Sequence, residues 1–331
     1  SRDAHLAIEH EDTQRALADI TTLLAMAAHL RETPVLISDL VALAINALAL
    51  DTTSHILADS PQSLSDAQLQ ELAHRFGALQ DEALRIRIDN ERFMFRDFLQ
   101  RIYTDDGNGT GHVTNEGMAL LHQLRSHHDQ TPGAVTWIGP AMSVLVADRR
   151  ETQQQLDRLL AEAEAWAATP LWKRGESRID QQITTWDQSA FDSIKYCVPI
   201  TLMPAIDRAS LQVQWIKQRR DALTTAIALH MYKRRHQHWP DTLDRLVPTL
   251  LPALPVDRFD GRTLRYGMRE DGPLLYSVGV DRDDDGGRPP RSKIGGPLND
   301  RARRWIAPEK IKNGDVTVAD GDWILWPPVG E

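Results

Sequence analysis

The run Asp281-Arg282-Asp283-Asp284-Asp285-Gly286 sets carboxylates at alternate positions ahead of a glycine. In an irregular loop, alternate side chains turn toward one point, and the glycine permits the sharp reversal that wrapping a cation requires. Hard oxygens in that arrangement are the donor set of calcium, which takes about six to eight of them. Without a cation, the charges of Asp281, Asp283 and Asp285 repel one another. The competing reading is a solvated acidic turn, since charge runs are commonly just surface.

A second segment, Asp106-Gly107-Asn108-Gly109-Thr110-Gly111-His112-Val113-Thr114-Asn115-Glu116-Gly117, resembles an EF-hand or dockerin-type calcium loop between two expected helices. Asp106, Asn108 and Thr110 occupy the alternating ligand positions, and Gly111 the turn. His112 falls where a backbone carbonyl is used, and Val113 where an apolar side chain packs beneath the loop. Gly117 stands where a bidentate acid closes such loops, and Glu116 comes one residue early. The expectation is a weaker or irregular site, with Glu116 or Asp105 turned inward. The alternative is a flexible loop whose glycines allow a helix-to-helix reversal.

Other chemistry has little footing. There is no HExxH, phosphate loop, GxSxG elbow or paired CxxC. Gly107 to Gly111 lacks the preceding strand and the lysine of a nucleotide loop. His127-His128-Asp129 and His236-Gln237-His238 do not set two imidazoles on one helix face, so solvated helix ends are expected. Cys197 precedes Val198-Pro199, which reads as an extended or turn dipeptide, and the thiol reads as a small buried hydrophobe. Asp89, Glu91, Glu162 and Glu164 read as charged helix faces rather than an acid/base pair. Of the nine tryptophans, Trp166, Trp172 and Trp186 gather around Pro170, where the alternative to the expected core role is the lining of a groove for sugar or peptide, while Trp305, Trp323 and Trp326 are expected to cover a small sheet.

The elements that must position these residues follow from length and pattern. A chain of 331 residues exceeds one comfortable hydrophobic core, so two domains are expected. A net charge of -9 argues against a general nucleic-acid or anionic-membrane binder. One cysteine rules out an internal disulfide framework and leaves the compartment open. Val35 to Leu50 is the longest apolar stretch. It is shorter than the ~20 residues that span a bilayer and contains Asp39 and Asn46, so it reads as a buried helix. The chain opens Ser1-Arg2-Asp3 without an initiator methionine, and the expectation is a trimmed chain whose signal peptide or anchor was removed.

Apolar residues at helical spacing predict helices over about Glu11–Leu30 and from Pro34 onward, paired as a hairpin. Ser65 and Gln68 form a capping box, with Leu64 and Leu69 spaced as a hydrophobic staple. Further helices are expected over about Asn90–Tyr103, from Asn115, over Arg149–Ala168, and from about Arg208 to Arg235. Leu264-Arg265-Tyr266, Leu274 to Val278 and Trp323 to Trp326 are strand candidates. The expected fold is α+β, with an α-helical domain over 1–203 and, over 204–331, a long helix packed on a small antiparallel sheet.

The stretch Leu229 to Pro240 resembles the end of the long helix of a type II secretion major pseudopilin, where a tyrosine-lysine turn leads into an aromatic-proline pair. The later features keep the family's order. Asp241 to Leu251 is similar to its short leucine-rich segment, Pro255 to Gly261 to its proline, aromatic and glycine turn, and Tyr276 to Asp281 to the strand entering its calcium loop. The resemblance implies a calcium ion held by Asp281, Asp283 and Asp285 together with Asp320 and Asp322. It departs in one respect: the family's helix is N-terminal and membrane-spanning, whereas residues 1–203 precede it here. The whole chain resembles large families of bacterial envelope proteins with a helical N-terminal region, anchored by an N-terminal helix. These resemblances imply a non-catalytic, extracytoplasmic calcium-binding protein acting in surface assembly or on protein partners. Two alternatives stay open: a metal-assisted envelope hydrolase with a groove between the domains, and a helical peptide-binding scaffold.

Overall fold

The computed structural model describes residues 2–88, 90–126, 140–174, 177–279, 281–289 and 321–328. In chain order the helices are α1 (Arg2–Glu9), α2 (Thr13–Leu30), α3 (Leu36–Asp59), α4 (Asp66–Ala78), α5 (Glu91–Ile102), α6 (Asn115–Ser126), α7 (Arg149–Ala168), α8 (Arg178–Gln188), α9 (Ala190–Lys195), α10 (Cys197–Leu202) and α11 (Pro204–His236). The strands β1 (Arg265–Arg269), β2 (Gly272–Ser277) and β3 (Trp323–Trp326) follow. The protein is α+β, with helices through His236 and, among the described residues, a three-stranded antiparallel sheet after it.

Helix starts follow capping chemistry, because the first amides of a helix have no intrahelical acceptor. Ser65 accepts the Gln68 amide while the Gln68 side chain accepts the Ser65 amide, closing the capping box. The staple residues Leu64 and Leu69 are both buried. Asp12 caps α2 through Arg15, and Asp148 caps α7 through Glu151, at 3.0 and 2.8 Å. One expectation fails here: Cys197-Val198-Pro199 is not extended but opens α10. Proline is tolerated there because first-turn residues need no intrahelical acceptor for their amides. Cys197 itself is buried, as expected.

α3 runs well past the apolar stretch read from the sequence. By length and composition it could cross a membrane, but 61% of its apolar window is buried inside the protein. Asp39 and Asn46 are also buried, and Asp39 pairs with Arg31 at 3.2 Å. α3 is therefore a core helix with internal polar groups.

The chain forms two compact units that are not consecutive. One comprises 1–33, 37–85 and 211–331; the other comprises 34–36 and 86–210. A division at 203/204 is thus not where the contacts divide, because the first helices share a core with the C-terminal region. Within the first unit, α11 brings Leu223, Ala226, Ile227 and Leu229 to near-complete burial. Lys217, Arg220 and Asp221 on α11 meet Asp81 and Arg258: Arg258 lies 2.8 Å from Asp221 and 3.3 Å from Asp81, and Lys217 lies 3.2 Å from Asp81. Periodicity within one element carries no sign of such long-range pairs.

The sheet order is β1-β2-β3. Tyr266 faces Leu275 across the first pair, and Tyr276 faces Ile324 across the second, with an irregularity between Leu275 and Tyr276. β1 starts and ends later than the expected Leu264–Tyr266. The sheet packs on α11 through aromatic edges, as Trp215 and Trp323 meet at 4.2 Å between ring centres and 88° between planes. That geometry aligns ring edge and ring face quadrupoles.

In the second unit, α5 and α7 exchange ion pairs, Arg92 with Glu164 at 3.4 Å and Arg96 with Asp157 at 3.7 Å. This fits the reading of Glu164 as part of a charged face. Trp186 is buried and stacks on Tyr196 at 4.4 Å, which fits a core role. His127, His128, Asp129, Asp89 and Trp305 lie outside the described residues.

Candidate metal centre

β2 delivers the chain into the acidic loop, and a buried carboxylate fixes the direction of delivery. Asp257 is fully buried and accepts hydrogen bonds from the Ser277 hydroxyl at 2.8 Å, from the Phe259 and Val278 amides at 3.0 Å each and from the Arg265 guanidinium at 3.4 Å. Burial pushes its pKa upward, and the Phe259, Ser277 and Val278 donors act against the shift. Ser277 and Val278 are thereby pinned at the end of β2, just before the loop.

Gly279 follows with φ of +70°, and a side chain there would meet the Trp323 ring at 3.2 Å. Arg282 takes a left-handed φ of +65°, which is strained for a residue with a side chain. Gly286 and Gly287 are also left-handed. A Cβ on Gly287 would collide with Leu274 and crowd the Tyr276 ring at 3.4 Å. The loop folds tightly onto the sheet because glycine occupies the positions of closest approach.

This backbone sorts the four aspartates of the run into two groups. Asp281, Asp283 and Asp285 each place an oxygen within 4.8 Å of the others. Asp284 points elsewhere: it accepts the Tyr276 hydroxyl at 3.1 Å and the Gly286 amide at 3.0 Å, and pairs with Arg265 at 3.6 Å. Burial pushes the Tyr276 hydroxyl up to about 12, and its bond to the Asp284 carboxylate acts in the same direction. The alternation read from the sequence is the alternation found.

Asp322 joins this loop from the other side. It is fully buried, its Oδ2 accepts the Gly287 amide at 2.7 Å, and its own amide donates to the Arg288 carbonyl at 2.7 Å. Its Oδ1 is buried with no hydrogen-bond partner among the described residues, and so is Oδ2 of Asp285. Burial, together with the nearby Asp284 and Asp285 carboxylates, pushes the Asp322 pKa up to about 6. Asp285 offers its other oxygen to Arg288 at 2.7 Å, and Asp281 accepts the Gly321 amide at 3.4 Å. A divalent cation would supply the missing partners and offset the repulsion. Asp320, the remaining residue implied by the pseudopilin resemblance, lies outside the described residues.

The Asp106 loop is built differently. Asp106 accepts the Asn108 and Thr110 amides at 3.0 Å each and also the Thr110 hydroxyl. The Thr110 hydroxyl bond leads the causes that hold its carboxyl at about 2. The loop carbonyls are taken as well: Gly109 and Gly111 accept the Arg150 and Arg149 amides at 2.9 and 3.1 Å, Asn108 accepts the Arg150 guanidinium, and His112 accepts the Thr104 amide at 2.8 Å. Val113 is buried beneath the loop, as expected, while Glu116 is exposed in the first turn of α6. Gly117 has a steric reason: a Cβ there would sit 2.5 Å from the Ile102 carbonyl oxygen. The structure brings Asp106 and Thr110 together, but places neither His112 nor Glu116 in a cluster of three or more metal-ligating acids or imidazoles among the described residues.

Sequence reasoning included Asp257 only as part of a turn, and missed its role as the anchor of β2. The signal available was an aspartate two residues before an aromatic and four before a glycine, which marks a turn but does not reveal a distant strand as its partner. Comparison with known proteins returns no match: no family, no curated protein and no solved structure is similar to the chain.

Proposed function

We propose that this is a non-catalytic calcium-binding protein in which one ion, held by Asp281, Asp283, Asp285 and Asp322, ties the acidic loop to the segment entering β3. Asp322 carries the reading. A fully buried carboxylate with one oxygen bonded to Gly287 and the other without a hydrogen-bond partner among the described residues is costly unless something positive meets it. The cluster offers carboxylates alone from an irregular loop. That suits calcium's flexible coordination better than magnesium's near-octahedral demand. An ion bound only by the folded state adds to stability by mass action, so its role is structural.

The Asp106 loop is left out of the proposed site, since protein donors account for the geometry of its carboxylate and carbonyls. The order of helix, turn, strand and acidic loop resembles the pseudopilin head, and this supports action in the cell envelope, outside the cytoplasm, on protein partners. A site in the affinity class of extracellular modules, about 10⁻⁴–10⁻³ M, suffices there.

The test is thermal melting in calcium, in magnesium and in excess chelator, on the parent, Asp281→Ala and Asp106→Ala. Calcium raises the melting temperature of the parent and of Asp106→Ala, and leaves Asp281→Ala unmoved. A parent that melts at the same temperature in calcium and chelator refutes the proposal. A shift lost only in Asp106→Ala moves the ion to the helical loop.

A further inference from the structure

The first unit also holds a cleft whose lining shares no residue with the acidic loop. It has a volume of about 420 Å³ and opens between the last turns of α11 and the start of β2. Trp239, Trp326 and Pro327 give it apolar walls. His230 stands perpendicular to both indoles, at 5.1 Å from Trp239 and 5.6 Å from Trp326 between ring centres. Burial, reinforced by the neighbouring Arg234 and Lys233 charges, pulls its pKa down to about 4, so the ring is neutral near pH 7.

The two cations of this wall differ in their commitments. Arg234 is held by Asp66 at 2.8 Å and by the Pro61 carbonyl at 2.5 Å. Lys233 places its ammonium 4.4 Å from the centre of the Trp239 ring and has no carboxylate partner among the described residues. Asp271, in the turn between β1 and β2, also lines the cleft.

We infer that this cleft binds a monocarboxylate carried on an apolar body, with the carboxylate on Lys233 and the body against Trp239, Trp326 and Pro327. An ammonium beside an aromatic wall favours an anion that also brings apolar surface. The volume admits a group about the size of one or two amino-acid residues. A phosphate fits less well: the guanidinium fork that would grip it is engaged with Asp66, and the Asp271 carboxylate repels a doubly charged anion. The same chemistry is offered by a free hydrophobic acid and by the C-terminal residue of a peptide.

The wall indoles make binding visible as a change in tryptophan fluorescence. Four probes are titrated: N-acetylphenylalanine, its amide N-acetylphenylalaninamide, Gly-Gly-Phe and inorganic phosphate. The acid saturates the signal, and the amide, lacking the charge, binds about tenfold more weakly. In Lys233→Met, a change at an exposed position, the acid falls to the level of the amide, while the amide is unchanged. Gly-Gly-Phe binding more tightly than the acid assigns the site to peptide ends; equal or weaker binding assigns it to free acids. Equal affinity for acid and amide, displacement of the acid by phosphate, or no saturation by about 10 mM acid overturns the inference.

Discussion

Asp322 accepts the Gly287 amide at 2.7 Å and so joins two points of the chain 35 residues apart. The bond fastens the acidic loop to the entrance of β3 and sets a buried carboxylate beside the Asp284 and Asp285 charges. Replacing Asp322 by asparagine keeps an acceptor for Gly287 and removes the charge. In chelator, Asp322→Asn melts no lower than the parent, because a buried charge near like charges is relieved. In calcium it melts lower, because the ion has lost a ligand. At calcium one hundredfold above the parent's Kd, the lost linkage is about 2.7 kcal/mol. Differential scanning calorimetry with and without calcium reads both effects, and a variant stabilised by calcium as much as the parent contradicts the site.

Gly287 tests the backbone of the same loop. Its φ of +77° and its approach to Leu274 and Tyr276 leave no place for a side chain. Gly287→Val combines a strained left-handed conformation with a clash against a buried strand, and costs about 2–3 kcal/mol. The control is Gly267→Val, at a β1 position where a Cβ meets nothing within 4 Å. Urea unfolding of the two variants ranks Gly287→Val well below Gly267→Val, and equal losses refute the steric account.

Gly117 bears on how much of the candidate sites was legible in the sequence. By the loop's own spacing, glutamate at 117 completes a calcium site. The structure predicts the opposite outcome, because a Cβ there lies 2.5 Å from the Ile102 carbonyl oxygen and 2.7 Å from its Cβ. Gly117→Glu therefore lowers the melting temperature in chelator and gains no calcium-dependent shift. A calcium shift larger than the parent's overturns this.

Local rules were readable because their partners lie close in sequence. The Ser65–Gln68 capping box, the bounds of α7 and the alternation within the acidic run depend on residues a few positions apart. The pairing of Asp257 with Ser277, the meeting of Asp81 with Arg258, and the grouping of residues 1–33 and 37–85 with 211–331 in one unit depend on distant segments. Periodicity carries no information about which distant segment will arrive. The cleft beside His230 was hidden for the same reason: its walls come from the end of α3 and the loop after it, from α11 and the loop after it, from the β1–β2 turn and from the end of β3.

His230 gives the clearest pH dependence. Its pKa is about 4 in the folded protein, below the ordinary histidine value of 6.5, because burial and the Arg234 and Lys233 charges disfavour the imidazolium. Below pH 6.5 the unfolded chain takes up a proton that the folded chain refuses, so protonation favours unfolding. The stability that neutral His230 contributes is complete above about pH 6.5 and is lost progressively as the pH falls toward 4. His230→Gln removes the titration while leaving a polar side chain against Trp239 and Trp326. Urea unfolding at intervals between pH 7 and 4 then shows a shallower loss of stability in the variant than in the parent. Parallel curves would mean that His230 protonates as readily in the folded protein as in the unfolded one, contrary to its packing between two indoles.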